Sequence, residues 1–207
     1  MTSKVTNEIE TLKSFGLWST LDSNDVDGNN LQFTALQFHF HSPSEHTING
    51  VHYDLETHIV HKLTDNSTGG RYLAVLGLLF QVEDTLTTPN PFLEAYSAIP
   101  DSECKLINKS TLFFILYSVV LNLHTLLEPT LGQNPDFFAY KGSLTTPPCT
   151  EAVNWYVVST PIPIQRSQLE KFTNFWSGNP SFADGQGNNR AVQPLNSRVI
   201  KLTESCQ

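Results

Sequence analysis

The sequence predicts a single domain with β-strands at its centre, and three observations support this prediction. The chain has 207 residues, which suits one domain with a sizeable hydrophobic core. Residues 36–41 (LQFHFH) alternate apolar and polar side chains, which is the pattern of a strand. Residues 71–82 (RYLAVLGLLFQV) form a continuous apolar run of strand length, which indicates a strand buried on both faces.

The first strand-like run carries two histidines on one face. Six of the seven histidines lie between residues 36 and 61. His39 and His41 are two residues apart, so in a strand their imidazoles lie side by side. Phe38 and Phe40 then pack on the opposite face. A lone histidine in an apolar strand is more often a core residue than a ligand, but two on one face favour a metal site.

A second strand-like run, residues 53–61, follows a polar segment with a turn at Asn49-Gly50. The two runs are therefore predicted to form an antiparallel pair. The second run contributes His58, with Glu56 two residues earlier on the same face. Three imidazoles from two neighbouring strands form the ligand set of a catalytic zinc, with the fourth position open to water.

Three segments of the chain then resemble a known family. FHFHSPSEHTING followed by LETHIVH resembles the central signature of the α-class carbonic anhydrases. YKGSLTTPPCTEAVNWYV (residues 140–157) is similar to their second diagnostic segment, and NNRAVQPLNSR (residues 188–198) to their closing segment. The segments follow the family's order, and the resemblance covers roughly residues 31–202.

The resemblance implies a mainly β fold: one domain, residues 1–207, around a large twisted, mostly antiparallel sheet with short surface helices. The family's longer N-terminal part, which includes the histidine that shuttles protons, is not matched, so the domain is expected to be short at this end. The implied activity is that of a zinc lyase, the reversible hydration of CO2 to bicarbonate by zinc-bound hydroxide. The alternative is a non-catalytic zinc-containing scaffold, an interaction subunit or a truncated inactive member.

The resemblance also implies a role for individual residues. His39, His41 and His58 match the zinc ligands. Thr145 matches the threonine that orients the nucleophile, and Glu45 matches the carboxylate that accepts the threonine's O–H. The residues that orient the three imidazoles are matched by Gln37, Glu56 and Asn188, the last through its backbone carbonyl. The residues that line the CO2 pocket are matched by Val60, Val75, Leu144, Thr146, Val153 and Trp155. His46 and Tyr140 match a structural hydrogen-bonded pair.

Composition and the remaining segments narrow the other possibilities. A net charge of -8 with 12 Lys+Arg argues against a nucleic-acid partner. Residues 1–10 are polar and do not resemble a signal peptide, whereas the family favours a secreted or organelle-lumen location. Residues 22–30 are predicted to be a loop, residues 91–99 a short helix, and residues 167–176 a helix that begins with a capping box. The resemblance implies that Cys149 is either free or paired with a cysteine outside this chain.

Residues 111–123 (TLFFILYSVVLNL) are an unusual apolar insertion relative to the family. Thirteen residues are too few to span a bilayer, which needs about 20, so no transmembrane segment is predicted. Three explanations remain open: a buried extra helix, an exposed apolar patch for a protein partner, or an error in the gene sequence.

Overall fold

The computed structural model describes residues 20–24, 30–64, 71–97, 135–174 and 186–203. The apolar insertion at residues 111–123 lies outside these ranges, so the prediction of a protein partner there stays a prediction. Within the described ranges, no helix is long and apolar enough to cross a membrane.

The described part of the chain is mainly β. In order, the elements are β1 Thr20–Asn24, β2 Asn30–His41, β3 Thr47–Ile48, β4 Val51–His52, β5 Leu55–Leu63, β6 Leu73–Val82, α1 Pro91–Ser97, β7 Phe137–Gly142, β8 Val153–Val158, β9 Ile162–Ile164, α2 Arg166–Thr173 and β10 Lys201–Thr203. Eight strands form one sheet in the order β1-β2-β5-β6-β8-β7-β10, with β9 beside β6. Only the pairs β6–β8 and β6–β9 are parallel among these strands, which confirms the mostly antiparallel sheet.

The two histidine-bearing runs are neighbouring antiparallel strands, as predicted. In the β2–β5 ladder, His39 lies directly opposite His58. Between them, β3 and β4 form a small hairpin whose turn residues, Asn49 and Gly50, have φ values of 54° and 78°. Two successive positive φ values are typical of the type I′ turn that suits a two-residue hairpin.

The loop predicted over residues 22–30 is wrong at both ends. Asp22 to Asn24 belong to β1, and Asn30 begins β2, with Asn24 paired to Asn30. The prediction relied on polar composition. Polar side chains are nevertheless compatible with a strand at the edge of a sheet, because the backbone ladder needs no apolar side chain.

Both predicted helices are present in the described residues. The first is described over Pro91–Ser97, and residues 98 and 99 of the prediction lie outside the described residues. The second begins at Arg166, one residue before the predicted capping serine, and its last described helical residue is Thr173. Gln165 occupies the N-cap position, where its N–H donates to Oε1 of Gln168 (3.3 Å). The buried side chain of Gln168 therefore caps the start of this helix, which the sequence had assigned to the pair Ser167 and Glu170.

The sheet separates two clusters of buried side chains. One face carries the histidines together with a cluster that includes Val60, Val75 and Trp155. The opposite face packs Phe40 and its neighbours against residues of α1 and α2. Phe38 packs against this second cluster, so the predicted separation of histidines and phenylalanines onto opposite faces is confirmed.

Candidate metal centre

His39, His41 and His58 converge on one face of the sheet. Their ring centroids lie 4.9 Å (His39–His41), 5.1 Å (His39–His58) and 4.6 Å (His41–His58) apart. One ring nitrogen from each lies within 4.8 Å of the other two, a spacing that could accommodate a metal ion. The sequence spacing predicted this convergence, because residues two apart in a strand share a face.

A β-bulge places the first two histidines on this face. The register of β2 against β5 shifts between Ala35 and Gln37, which leaves Leu36 as an extra residue that is 47 % exposed. Because side chains alternate with a period of two, one extra residue moves all the following odd-numbered residues to the other face. Phe33 therefore shares a face with Phe38, while Gln37 lies on the histidine face.

Each histidine is oriented through one ring nitrogen by a protein acceptor. These contacts are His39 Nδ1 to Gln37 Oε1 (3.0 Å), His41 Nδ1 to the Asn188 carbonyl (3.3 Å) and His58 Nε2 to Glu56 Oε1 (2.8 Å). A carbonyl or carboxylate oxygen can only accept, so the ring nitrogen facing it carries the hydrogen. The other nitrogen of each ring keeps its lone pair, which leaves Nε2, Nε2 and Nδ1 directed to the shared space.

The state of these imidazoles suits a metal ligand. Nε2 of His41 is buried without a hydrogen-bond partner. Burial, followed by the neighbouring His58, lowers the pKa of His41 to about 4. Burial, followed by His58 and His41, also holds the pKa of His39 well below its usual range. Neutral imidazole is the form that binds a metal ion, so the residues present fit Zn²⁺.

Glu56 is fully buried and accepts four hydrogen bonds. Its Oε2 accepts the backbone N–H groups of Glu45 (2.8 Å) and His46 (2.9 Å). Its Oε1 accepts from His46 Nδ1 (2.6 Å) and His58 Nε2 (2.8 Å). Burial alone would raise the pKa of Glu56, but the two imidazoles hold it well below its usual range. A buried carboxylate with four donors is a stable anion.

His46, Glu56 and His58 also lie close enough to form a metal-binding group. The atoms of this group are already paired with one another, because His46 Nδ1 and His58 Nε2 each donate a hydrogen bond to Glu56. His46 Nε2 forms a 2.7 Å hydrogen bond with the hydroxyl of Tyr140. This arrangement matches the structural pair expected for His46 and Tyr140, and it leaves no free lone pair on His46 for a metal ion.

Glu45 lies beside two of the candidate ligands. Its Oε1 is 3.5 Å from His41 Nδ1 and accepts the backbone N–H of Arg190 (2.8 Å). Its Oε2 is 3.9 Å from His58 Nδ1, and it is buried without a hydrogen-bond partner. In the described part of the chain, Thr145 is half-buried and is not hydrogen-bonded to Glu45, whose Oε2 has no partner.

Asn188 fastens a distant segment of the chain to the end of β2. Its backbone N–H donates to the Ser42 carbonyl (3.2 Å), and its Oδ1 accepts the Ser42 N–H (3.0 Å). Its Nδ2 donates to the Phe40 carbonyl (2.9 Å). With the contact to His41, four hydrogen bonds fix this residue. Residues 187–190 are called the strap below.

Five of the six predicted pocket residues lie together. Val60, Val75, Val153 and Trp155 belong to one buried cluster, and Leu144 packs against it. Thr146 is exposed, and its carbonyl accepts the N–H of Cys149 in a turn (2.9 Å). Cys149 is a free thiol at a positive φ of 57°.

Three residues of the site were not identified from the sequence. Arg190 contributes a backbone N–H to Glu45, and two glycines allow close packing. A Cβ atom at Gly142 would lie 2.6 Å from Trp155, and one at Gly187 would lie 2.2 Å from the Ser42 carbonyl oxygen. A glycine inside a motif gives no sign of which atoms approach it.

Comparisons with known proteins agree with this geometry. The family model described as eukaryotic-type carbonic anhydrase matches residues 2–204. The chain is 34% identical over 182 residues to a carbonic anhydrase of Klebsiella pneumoniae, covering 88% of this chain and 62% of the relative. A carbonic anhydrase of Nostoc sp. is 35% identical over 170 residues, covering 82% and 53%. The matched part of the chain therefore spans 53–62% of the length of these two relatives.

Solved structures give the same result. The α-carbonic anhydrase of Thermovibrio ammonificans, in complex with the inhibitor sulfanilamide, is 35% identical with a TM-score of 0.60, covering 89% of this chain and 71% of that one. A carbonic anhydrase of Chlamydomonas reinhardtii in complex with acetazolamide is 30% identical with a TM-score of 0.62, covering 91% and 74%.

Proposed function

Because the chain belongs to the eukaryotic-type carbonic anhydrase family, we propose that it binds Zn²⁺ and catalyses the reversible hydration of CO2 to bicarbonate. The observation that carries this proposal is the convergence of three lone-pair nitrogens from His39, His41 and His58, each ring oriented by a separate protein acceptor. A non-catalytic scaffold is less consistent with this geometry, because a scaffold does not need three imidazoles aimed at one point.

We assign the three imidazoles as the zinc ligands. When bound by three neutral nitrogens, Zn²⁺ acidifies a coordinated water enough to supply a nucleophile near neutral pH, as is known for carbonic anhydrases generally. Gln37, Glu56 and Asn188 fix the imidazole tautomers, since each accepts the N–H that is not directed at the metal.

Thr145 and Glu45 are assigned to orient the nucleophile. The threonine hydroxyl would accept a hydrogen bond from it and donate its own O–H to Glu45. Oε2 of Glu45 is the available acceptor, because that atom is buried and otherwise unpartnered, whereas Oε1 accepts from the backbone of Arg190. In this assignment the proton is directed away from the lone pair that attacks CO2.

The apolar cluster beside the histidines is assigned to hold the substrate. CO2 has no net dipole, so aliphatic and aromatic side chains can bind it while they exclude competing water from its carbon. Val60, Val75, Val153 and Trp155 offer such a surface, with Leu144 packed against it. Thr146, which is exposed, would line the polar side of the pocket.

The test compares two histidine variants for zinc content and for CO2 hydration by stopped flow. His58→Ala should lose both, because it removes one of three ligands. His52→Ala is the matched control: this histidine lies on the β3–β4 hairpin, where its ring contacts the Ser44 carbonyl and is not part of the three-histidine site. It should retain both properties.

One further measurement extends the test. Sulfanilamide, the inhibitor bound to the Thermovibrio protein, should reduce hydration by the wild-type chain. Hydration retained in His58→Ala, or zinc bound by the wild-type chain without any hydration, would refute the proposal.

A further inference from the structure

Among the described residues, His61 and Asn154 hold three buried polar atoms without a partner on the face of the sheet opposite the metal centre. They are Nε2 of His61 and both amide atoms of Asn154, the Oδ1 and the Nδ2. Each of the two residues is only 1% exposed. A buried polar atom without a hydrogen bond is destabilising, so such atoms in native proteins usually contact an ordered water.

The strand register brings these atoms to one place. His61 on β5 lies opposite Ala74 on β6, and Ala74 lies opposite Asn154 on β8. The three side chains therefore point to the same side of the sheet. The outer two backbones are about 10 Å apart, because neighbouring strands are about 4.8 Å apart. Between them lies Ala74, whose side chain is a single methyl group.

The side chains beside Ala74 are mainly apolar. Phe33 and Ala74 are fully buried there, and Leu63 and Tyr156 pack against them. Buried polar atoms among apolar side chains are typical contacts of an internal water, which needs two to four polar partners.

The chemistry of the two side chains is complementary to water. Nδ1 of His61 lies 2.9 Å from the Ile59 carbonyl, so it carries the ring hydrogen and Nε2 is an acceptor. Burial lowers the pKa of His61, the carbonyls of Ile59 and Ala74 offset this only in part, and the resulting pKa is about 4. The ring is therefore neutral near pH 7. Asn154 supplies both a donor and an acceptor.

We propose that a water molecule binds above Ala74 and bridges His61 Nε2 to the side-chain amide of Asn154. The water donates one O–H to Nε2, and with its other groups it pairs with the amide. This bridge connects β5 to β8 across β6. On their opposite faces, these two strands carry His58 and Trp155.

The direct test is a high-resolution crystal structure. It should show density for one water within about 3.2 Å of both His61 Nε2 and an amide atom of Asn154. A direct hydrogen bond between the two side chains, or the absence of density at this position, would overturn the proposal.

Thermal unfolding of variants provides an independent test. Asn154→Leu removes both amide atoms that the water contacts, and it should lower the Tm by a few degrees. If the site were dry, the same change would remove two unpartnered polar atoms and would raise the Tm. Thr57→Val is the control. The Thr57 hydroxyl is also buried and unpartnered on this face of β5, but its cross-strand neighbours, Phe40 and Leu78, are apolar and offer a water no second polar side chain. The Tm of this variant should not fall.

Discussion

Gly187→Ala should disrupt the candidate metal centre although residue 187 touches no ligand. The φ of Gly187 is +133°, a conformation that L side chains rarely adopt. An added Cβ would lie 2.2 Å from the Ser42 carbonyl oxygen and 2.7 Å from Cδ of Pro43. Because real Cβ contacts are not shorter than 3.0 Å, the strap must move away from the end of β2 by about 0.8 Å.

This movement should break the longest hydrogen bonds of Asn188. The bond from its N–H to Ser42 (3.2 Å) and the bond from His41 Nδ1 to its carbonyl (3.3 Å) would both lengthen towards 4 Å. Each lost bond costs about 1 kcal/mol, and the unfavourable φ costs about 1 kcal/mol more. We therefore expect the free energy of unfolding to fall by about 3 kcal/mol. Because His41 loses its orienting acceptor, zinc affinity should fall by about 10- to 100-fold.

Chelator competition measures the zinc affinity, and urea denaturation measures the free energy of unfolding. Gly50→Ala is the matched control: Gly50 also has a positive φ (78°), but an added Cβ meets nothing within 4 Å. This control should lose about 1 kcal/mol of stability and no zinc affinity. If Gly187→Ala behaved like Gly50→Ala in both assays, the steric reasoning would be wrong.

Three further predictions concern stability. In Gly142→Ala, the new Cβ would lie 2.6 Å from Trp155 Cδ1, so we expect a loss of about 1–3 kcal/mol in urea denaturation and an altered near-UV CD spectrum. Glu56→Gln places an NH2 group among four donors and should destabilise by about 3 kcal/mol, measured by thermal unfolding; an unchanged Tm would contradict the four-bond arrangement. The folded pKa of His61 is about 4, below its ordinary value of 6.5, so the unfolded chain binds more protons between these pH values. Stability should therefore fall as pH drops from 6.5 to 4, by about 2 kcal/mol at pH 5, and denaturation of His61→Phe should lack this part of the pH dependence.

Local periodicity was enough to predict the histidine cluster. His39 and His41 are two residues apart on one strand, and His58 follows a short hairpin that brings the next strand alongside. Both features depend only on strand geometry and on the Asn49-Gly50 turn, so no distant contact was needed.

Contacts between distant residues could not be found in this way. The sequence does not mark Leu36 as a bulge, because an apolar residue in an alternating run looks regular until the strand is paired. Asn188 is 147 residues from His41, and only the family resemblance indicated its role. The importance of Gly187 depends on the position of the Ser42 carbonyl, which is a property of the folded chain.

The hydrogen bonds of the site imply that the fold, and not the metal ion, sets the ligand geometry. Glu56 is buried at a cost that four donors offset, and one of those donors is the ring of His58. The ring of His41 is hydrogen-bonded to Asn188 of the strap, and Asn188 is hydrogen-bonded to the backbone of Ser42. Because these contacts restrict the rings before any ion arrives, metal binding need not supply the free energy of ordering them. Substitutions in the strap should therefore weaken zinc binding although no strap residue is a proposed ligand, because they remove the hydrogen bond that orients the ring of His41.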